Sequence, residues 1–259
     1  LTFIASVNAI TYNNAKPIFM DADKYYNIDE EKTIEFIKNE TVFKNGFTYN
    51  KKTNNKITAI IPVHVWGNAC WLDALIELCN ERNISIVEDA CESLGTFYNA
   101  GKYKGKHAGT IGKLGCLSFN GNKIITTGGG GMLVTDDEEL AKKAKHITTT
   151  AKVPHPYEYI HDEIGYNYRL TNLAAALGVA QMENLQLFID KQRDLAKKYD
   201  NFFKDTNIEL IKEPKDSKSN YWLNAVVLKD KEERDVFLKY TNDNGVMTRC
   251  IWRLMNKLD

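Results

Sequence analysis

Ser118-Phe119-Asn120-Gly121-Asn122-Lys123-Ile124-Ile125-Thr126-Thr127-Gly128-Gly129-Gly130-Gly131-Met132 sets one lysine between an apolar, strand-forming segment and a run of glycines. A lysine amine can form a Schiff base with an aldehyde cofactor, and glycines let a backbone approach a phosphate or a flat ring closely. Upstream, Ile86-Val87-Glu88-Asp89-Ala90 puts a carboxylate at the C-terminal end of an apolar strand. An amine and an acid, each at a strand end, are what a pyridoxal phosphate (PLP) enzyme needs. Lys123 would carry the cofactor and Asp89 would pair with its pyridinium nitrogen.

Outward from these two segments, residues 1–150 alternate short apolar runs with helical patterns. Pro17–Asp21, Ile57–Val65, Ile84–Glu88, Gly115–Phe119 and Met132–Thr135 read as strands. Asp29–Lys38 reads as a helix with Asp29 as its N-cap. Leu72–Asn83 has Leu72, Leu75, Ile76 and Cys79 at helical spacing. Another helix starts at Asp136-Asp137 and runs through Lys145. Lys44–Lys56 is polar and rich in Asn and Lys, so it is a surface loop or hairpin. This alternation predicts an α/β fold with a mostly parallel central sheet flanked by helices. Such sheets bind ligands beyond the C-terminal ends of their strands, where Asp89 and His64 both fall.

Residues 151–168 form an aromatic loop containing His155 and His161, and Thr171 to about Lys204 is strongly helical. Tyr221–Leu228 and Val246–Cys250 read as strands flanking a helix over Lys231–Asp243. The pattern divides into a large unit, 1–190, and the start of a smaller C-terminal α+β domain, 191–259.

Among the 259 residues, Lys+Arg and Asp+Glu are both 34, so the net charge is zero. That argues against a broad nucleic-acid footprint. Cys70, Cys79, Cys91, Cys116 and Cys250 are odd in number and form no C-x-x-C pair, so free thiols in a reducing, cytoplasmic setting are expected. No His/Cys cluster has zinc spacing, so no metal is expected. No apolar run reaches ~18 residues, and no membrane span is expected. The chain opens mid-pattern on Leu1 and ends on Asp259 without a cap, so a piece of a longer protein is expected.

The chain resembles the DegT/DnrJ/EryC1/StrS family of PLP-dependent sugar-nucleotide aminotransferases along essentially its whole length. The resemblance is carried by Leu1–Ile10, Ile61-Pro62-Val63-His64-Val65-Trp66-Gly67, Val87-Glu88-Asp89-Ala90, Ser118-Phe119 with Lys123 and the glycine run, and Ile164–Asn172. It looks most like the branch acting in nonulosonic-acid (legionaminic acid-type) and bacillosamine-type pathways. The family implies a fold-type-I aminotransferase, a homodimer with shared active sites, L-glutamate as amino donor and a nucleotide-linked 4-keto sugar as acceptor.

Carried over residue by residue, the resemblance makes Ser118 a phosphate-binding hydroxyl and Phe3 a ring stacked on the cofactor. Asn167 would reach the neighbour's phosphate across the dimer. Glu92 stands where many members have Gln beside the cofactor's ring hydroxyl, and Gly129 where most have Glu. His64, Arg169, Arg249 and Trp252 are candidate substrate residues, although Arg249-Cys250 departs from the branch's more common Arg-Pro. Two alternatives stay open: a PLP-dependent sugar dehydratase, which would carry histidine in place of Lys123, and a non-catalytic dimerisation or regulatory relative. A Walker-type loop is excluded, because Gly109-Thr110-Ile111-Gly112-Lys113-Leu114 fails both its spacing and its Ser/Thr.

Overall fold

The computed structural model describes residues 1–258. It opens with α1 (Ile4–Tyr12), then α2 (Glu30–Glu40) and a three-stranded hairpin sheet of β1 (Thr41–Lys44), β2 (Phe47–Asn50) and β3 (Lys56–Ile57). β4 (Ala59–Ile60) is followed by the turn Val65–Gly67, α3 (Asp73–Glu81), β5 (Ser85–Asp89), β6 (Phe97–Tyr98), β7 (Leu114–Ser118), β8 (Gly131–Val134) and α4 (Glu138–Thr148). β9 (Lys152–Val153) and β10 (Ile160–His161) pair in the aromatic loop, and α5 (Asn172–Met182) and α6 (Leu185–Phe203) follow. The remaining elements are β11 (Glu209–Leu210), β12 (Ser217–Lys218), β13 (Val226–Val227) and α7 (Lys231–Asp243).

The central sheet runs β4-β5-β7-β8, with β4, β5 and β7 parallel and β8 antiparallel. Its register puts Asp89 opposite Cys116 and Ser118 opposite Gly131. The stretch 119–130, with Lys123, is therefore the connection that reverses the sheet's direction between β7 and β8. An added bridge between Val63 and Asp89 carries the parallel pairing one step past β4.

α3 covers one face of this sheet. Leu75, Ile76, Leu78 and Cys79 pack with Ile37, Leu72, Ile84 and Ile86 into the main apolar core. Each fully buried side chain of this kind contributes roughly 1.5–3 kcal/mol. Asp29 caps α2 as expected, its carboxylate accepting from the Lys32 N–H at 3.0 Å. On β5, Ile86 and Glu88 point inward and are buried, while Asp89 ends the strand on the opposite side.

Four sequence readings need correction. Pro17–Asp21 lies along a groove of about 960 Å³ with no strand alongside to take its backbone groups, so it joins no ladder. The polar 44–56 region, by contrast, takes the hairpin of the two forms expected for it. The helical run 171–204 breaks at Asn184, whose ψ of 4° turns the chain between α5 and α6. Tyr221, at φ 49°, interrupts the expected 221–228 strand, leaving only β13 to pair with β11, and 246–250 finds no partner strand.

Candidate active site

β5 delivers Asp89 at its last residue. The Cys91 N–H donates to its Oδ1 at 3.1 Å, and the Ser6 hydroxyl of α1 donates to its Oδ2. The Ala90 N–H donates to the Cys116 carbonyl at 2.9 Å, holding the chain against β7 as it leaves the strand.

Lys123 follows a tight turn closed by its own N–H on the Asn120 carbonyl at 3.1 Å. Its Nζ lies 3.7 Å from the centroid of the Trp222 ring and 3.9 Å from Glu92 Oε1. Burial holds the Lys123 ammonium below the ordinary lysine value; Glu92, Cys91 and Asp89 oppose the shift. The Trp222 indole N–H donates to the Asn122 carbonyl at 2.6 Å, so one ring grips both the lysine amine and the backbone beside it.

Glu92 is nearly buried. Its Oε2 accepts the Trp66 N–H at 2.7 Å. Burial pushes its carboxyl up to about 7, with Asp89 adding and with Trp66 and Lys123 opposing. Trp66 itself is buried at φ 56°, a left-handed conformation that costs a bulky residue roughly 1–2 kcal/mol. That conformation is what presents its amide to Glu92.

Ser118 ends β7 partly buried, its Oγ accepting the Asn120 N–H at 3.3 Å. The glycine run lies just beyond it. A Cβ at Gly128 or Gly129 would meet nothing within 4 Å, and Gly128 and Gly130 have φ of 79° and 105°. This backbone is open to close approach, in a conformation that disfavours other residues.

The remaining expected residues are placed differently. Phe3, half-exposed, meets Trp252 edge-on with ring centroids 6.1 Å apart. Asn167 and Arg169 are exposed on the aromatic loop, and Arg169 makes no ion pair among the described residues. That loop is pinned to the end of α4 by the Asn167–Thr149 bridge and by His146 Nε2 against Asp162 Oδ1 at 2.7 Å. Arg249 is exposed, its Nη2 donating to Met247 Sδ at 3.5 Å.

His64 is corrected as a substrate residue. It is fully buried, with no surface to offer a sugar. Its Nδ1 accepts the Cys70 N–H at 2.9 Å, so its proton sits on Nε2, which donates to Glu88 Oε2 at 2.8 Å. Glu88 also takes the N–H groups of Gly109, Ile111 and Gly112. Burial alone would raise the Glu88 carboxyl; His64 and these amides hold it below the usual carboxylate range instead. The pair fastens the 107–113 loop to β5, immediately behind Asp89.

Ser6, Trp222 and the Trp66 amide were not among the sequence candidates. Ser6 had a faint signal, since it follows Phe3 by three residues on a helix. Trp222 had none, because it arrives from a distant segment. A cavity of about 270 Å³ and the groove of about 960 Å³ along Pro17–Asp21 have neither Lys123 nor Asp89 in their walls.

The chain matches the model of the DegT/DnrJ/EryC1/StrS aminotransferase family over residues 1–258. It is 39% identical over 254 residues to GDP-perosamine synthase of Escherichia coli O157:H7, covering 97% of this chain and 63% of that protein. It is 33% identical over 205 residues to the UDP-4-amino-4,6-dideoxy-N-acetyl-beta-L-altrosamine transaminase of Campylobacter jejuni serotype O:23/36, covering 78% of this chain and 50% of the relative. Among solved structures, the aminotransferase TlmJ from Streptoalloteichus hindustanus superposes with a TM-score of 0.84 at 27% identity, over 97% of this chain and 63% of that one. The chain thus spans less than two thirds of the length of each of these three proteins. With the amine of Lys123 and the carboxylate of Asp89 at the ends of a sheet shared with such an aminotransferase, the chain belongs to the DegT/DnrJ/EryC1/StrS aminotransferase family.

Proposed function

We propose that this chain carries the catalytic core of a PLP-dependent aminotransferase. The amino group would move from L-glutamate to C4 of a nucleotide-linked 4-keto-6-deoxy sugar, for bacterial surface glycan or nonulosonic-acid synthesis. The observation that carries the reading is the placement of Lys123. Its amine is partly desolvated, held on the Trp222 ring and kept below the ordinary lysine value, within the field of Asp89 and Glu92. A lysine held below its ordinary value by burial gives up its proton more readily than one in water, as an amine that must attack an aldehyde requires.

The residues present fit the cofactor. Lys123 is an amine for its aldehyde, Asp89 an acid for its ring nitrogen, and Ser118 with the open glycine run a cradle for its phosphate. PLP, when bound, supplies an electrophilic carbon and an electron-withdrawing ring. Asp89 would hold a proton on the ring nitrogen through a charge-assisted hydrogen bond. Phe3 would cover one ring face and exclude water there. Glu92 would lie beside the ring hydroxyl. Lys123 Nζ would take a proton from Cα of the donor and return it on the cofactor side.

The exposed aromatic loop supports a homodimer in which Asn167 reaches the neighbour's phosphate. Arg169, Arg249 and Trp252 would meet substrate. Residues 1–190 would form the cofactor-binding unit and 191–259 the start of a smaller one, in a cytoplasmic enzyme. A UDP-linked 2-acetamido-2,6-dideoxy-4-ketohexose is the acceptor favoured by the branch resemblance. The 39% identity to a GDP-perosamine synthase favours a GDP-linked sugar as the second reading.

The test is a visible absorption spectrum of the chain with PLP beside Lys123→Ala. A new band in the parent, absent from the variant, and a borohydride-fixed mass adduct on Lys123 are expected. An equal adduct elsewhere in the variant would overturn the assignment. Supplying UDP- and GDP-linked keto sugars with glutamate, and measuring 2-oxoglutarate, separates the two acceptors.

A further inference from the structure

We propose that Ser6 is a positioning residue for Asp89, its hydroxyl fixing the carboxylate from the first turns of α1. The proposal rests on the reading that Asp89 faces the cofactor's ring nitrogen.

The two oxygens of Asp89 are held from different directions. Oδ1 takes the backbone N–H of Cys91, two residues on, which comes with the strand end itself. Oδ2 takes the hydroxyl of Ser6, from a helix more than eighty residues upstream. An ionised carboxylate can only accept, so the single Ser6 proton points to Asp89. Ser6 Oγ keeps its lone pairs for Thr2, whose Oγ1 lies 3.1 Å from it and 3.0 Å from the Phe3 carbonyl. The Thr2 proton is shared between those two acceptors. When it lies on Ser6, the chain of hydroxyls polarises toward Asp89.

α1 has no buried residue, so apolar packing does little to seat it. The Ser6–Asp89 bond is one of the few specific ties between this helix and the sheet. The same helix start presents Phe3, one turn before Ser6. One docked turn thus delivers both the ring expected over the cofactor and the hydroxyl that steers the acid beneath it. Asp89 is left with its outer lone pairs for a ligand and without freedom to rotate away from it.

Infrared difference spectroscopy on the full chain labelled with [4-13C]aspartate reads the carboxylate directly, with Asp89→Asn assigning its band. Ser6→Ala should shift the Asp89 stretching bands and weaken PLP binding about tenfold, as loss of a hydrogen bond that orients a liganding group does. Ser6→Thr, which keeps the hydroxyl, should return both values close to the parent's. Unmoved Asp89 bands in a folded Ser6→Ala protein would overturn the proposal. Shifted bands support it. If, in addition, the 15N signal of the bound cofactor's ring nitrogen is unchanged in both Ser6→Ala and Asp89→Asn, the hydroxyl link stands and the role of Asp89 at the cofactor falls.

Discussion

Glu92 is buried, with one oxygen on the Trp66 amide and the other 3.9 Å from the Lys123 amine. Its folded value of about 7 lies above the ordinary 4.5, so the folded chain keeps a proton there that the unfolded chain has released. Stability from this group is full below about pH 4.5 and is lost as pH rises to 7. The difference amounts to roughly 3 kcal/mol. Glu92→Gln removes that slope. Thermal melts of the cofactor-free chain from pH 4.5 to 8 should fall for the parent and run flatter for the variant; parallel curves would contradict the buried-acid account. The positions of Lys123 and Asp89 were legible in the sequence because apolar strand segments mark the ends they follow, whereas Ser118 and Glu92 were singled out only by the family resemblance. The Trp66 amide was not legible, since it depends on a single left-handed residue that no composition rule flags.

At the scale of elements, the 107–113 loop can lie against β7 only because β7 has a glycine at Gly115. A Cβ there would fall 1.8 Å from the Gly109 carbonyl oxygen. Gly109 in turn gives its N–H to Glu88 Oε2 at 2.8 Å. Gly115→Ala should therefore push the 107–113 loop off the buried Glu88 carboxylate and cost about 3 kcal/mol. Gly121→Ala, where nothing lies within 4 Å, should stay within about 0.5 kcal/mol of the parent. Urea midpoints measure both, and equal midpoints would show that the loop has slack. The helices α2, α3 and α4 and the strands β5 and β7 were read close to their bounds because their apolar patterns are strong, whereas the nine-residue strand expected over 57–65 shrinks to β4. The failures at 17–21, 221–228 and 246–250 share a cause: extended, strand-like residues become a strand only where another strand offers its backbone, and sequence pattern carries no information about the neighbour.

Over the whole molecule, residues 217–222 return to the central unit. β12 pairs with β6, and Asn220 bonds through its Nδ2 to the carbonyls of Glu92 and Leu94 at 2.8 and 2.9 Å. Its Oδ1 accepts the Trp222 N–H at 2.9 Å. Asn220 is fully buried and joins the Glu92 loop to the ring over Lys123. Asn220→Ala should cost about 2–4 kcal/mol through the orphaned groups. It should also speed amide hydrogen exchange at Trp222 more than in α2; a uniform change would mean that the residue only adds general stability. This closure was invisible in the sequence, where the same residues read as the edge of a separate smaller unit, because contacts across such a span leave no periodic trace. The indole at its end has an optical consequence. Trp222 is one of four tryptophans, and its ring rests 3.7 Å from the ammonium of Lys123. Its emission is then a built-in probe of that amine: capping Lys123 with a small acyl group should change the fluorescence of the parent and leave Trp222→Phe dark to the event, so occupancy of the lysine can be followed in real time without substrate, dye or label.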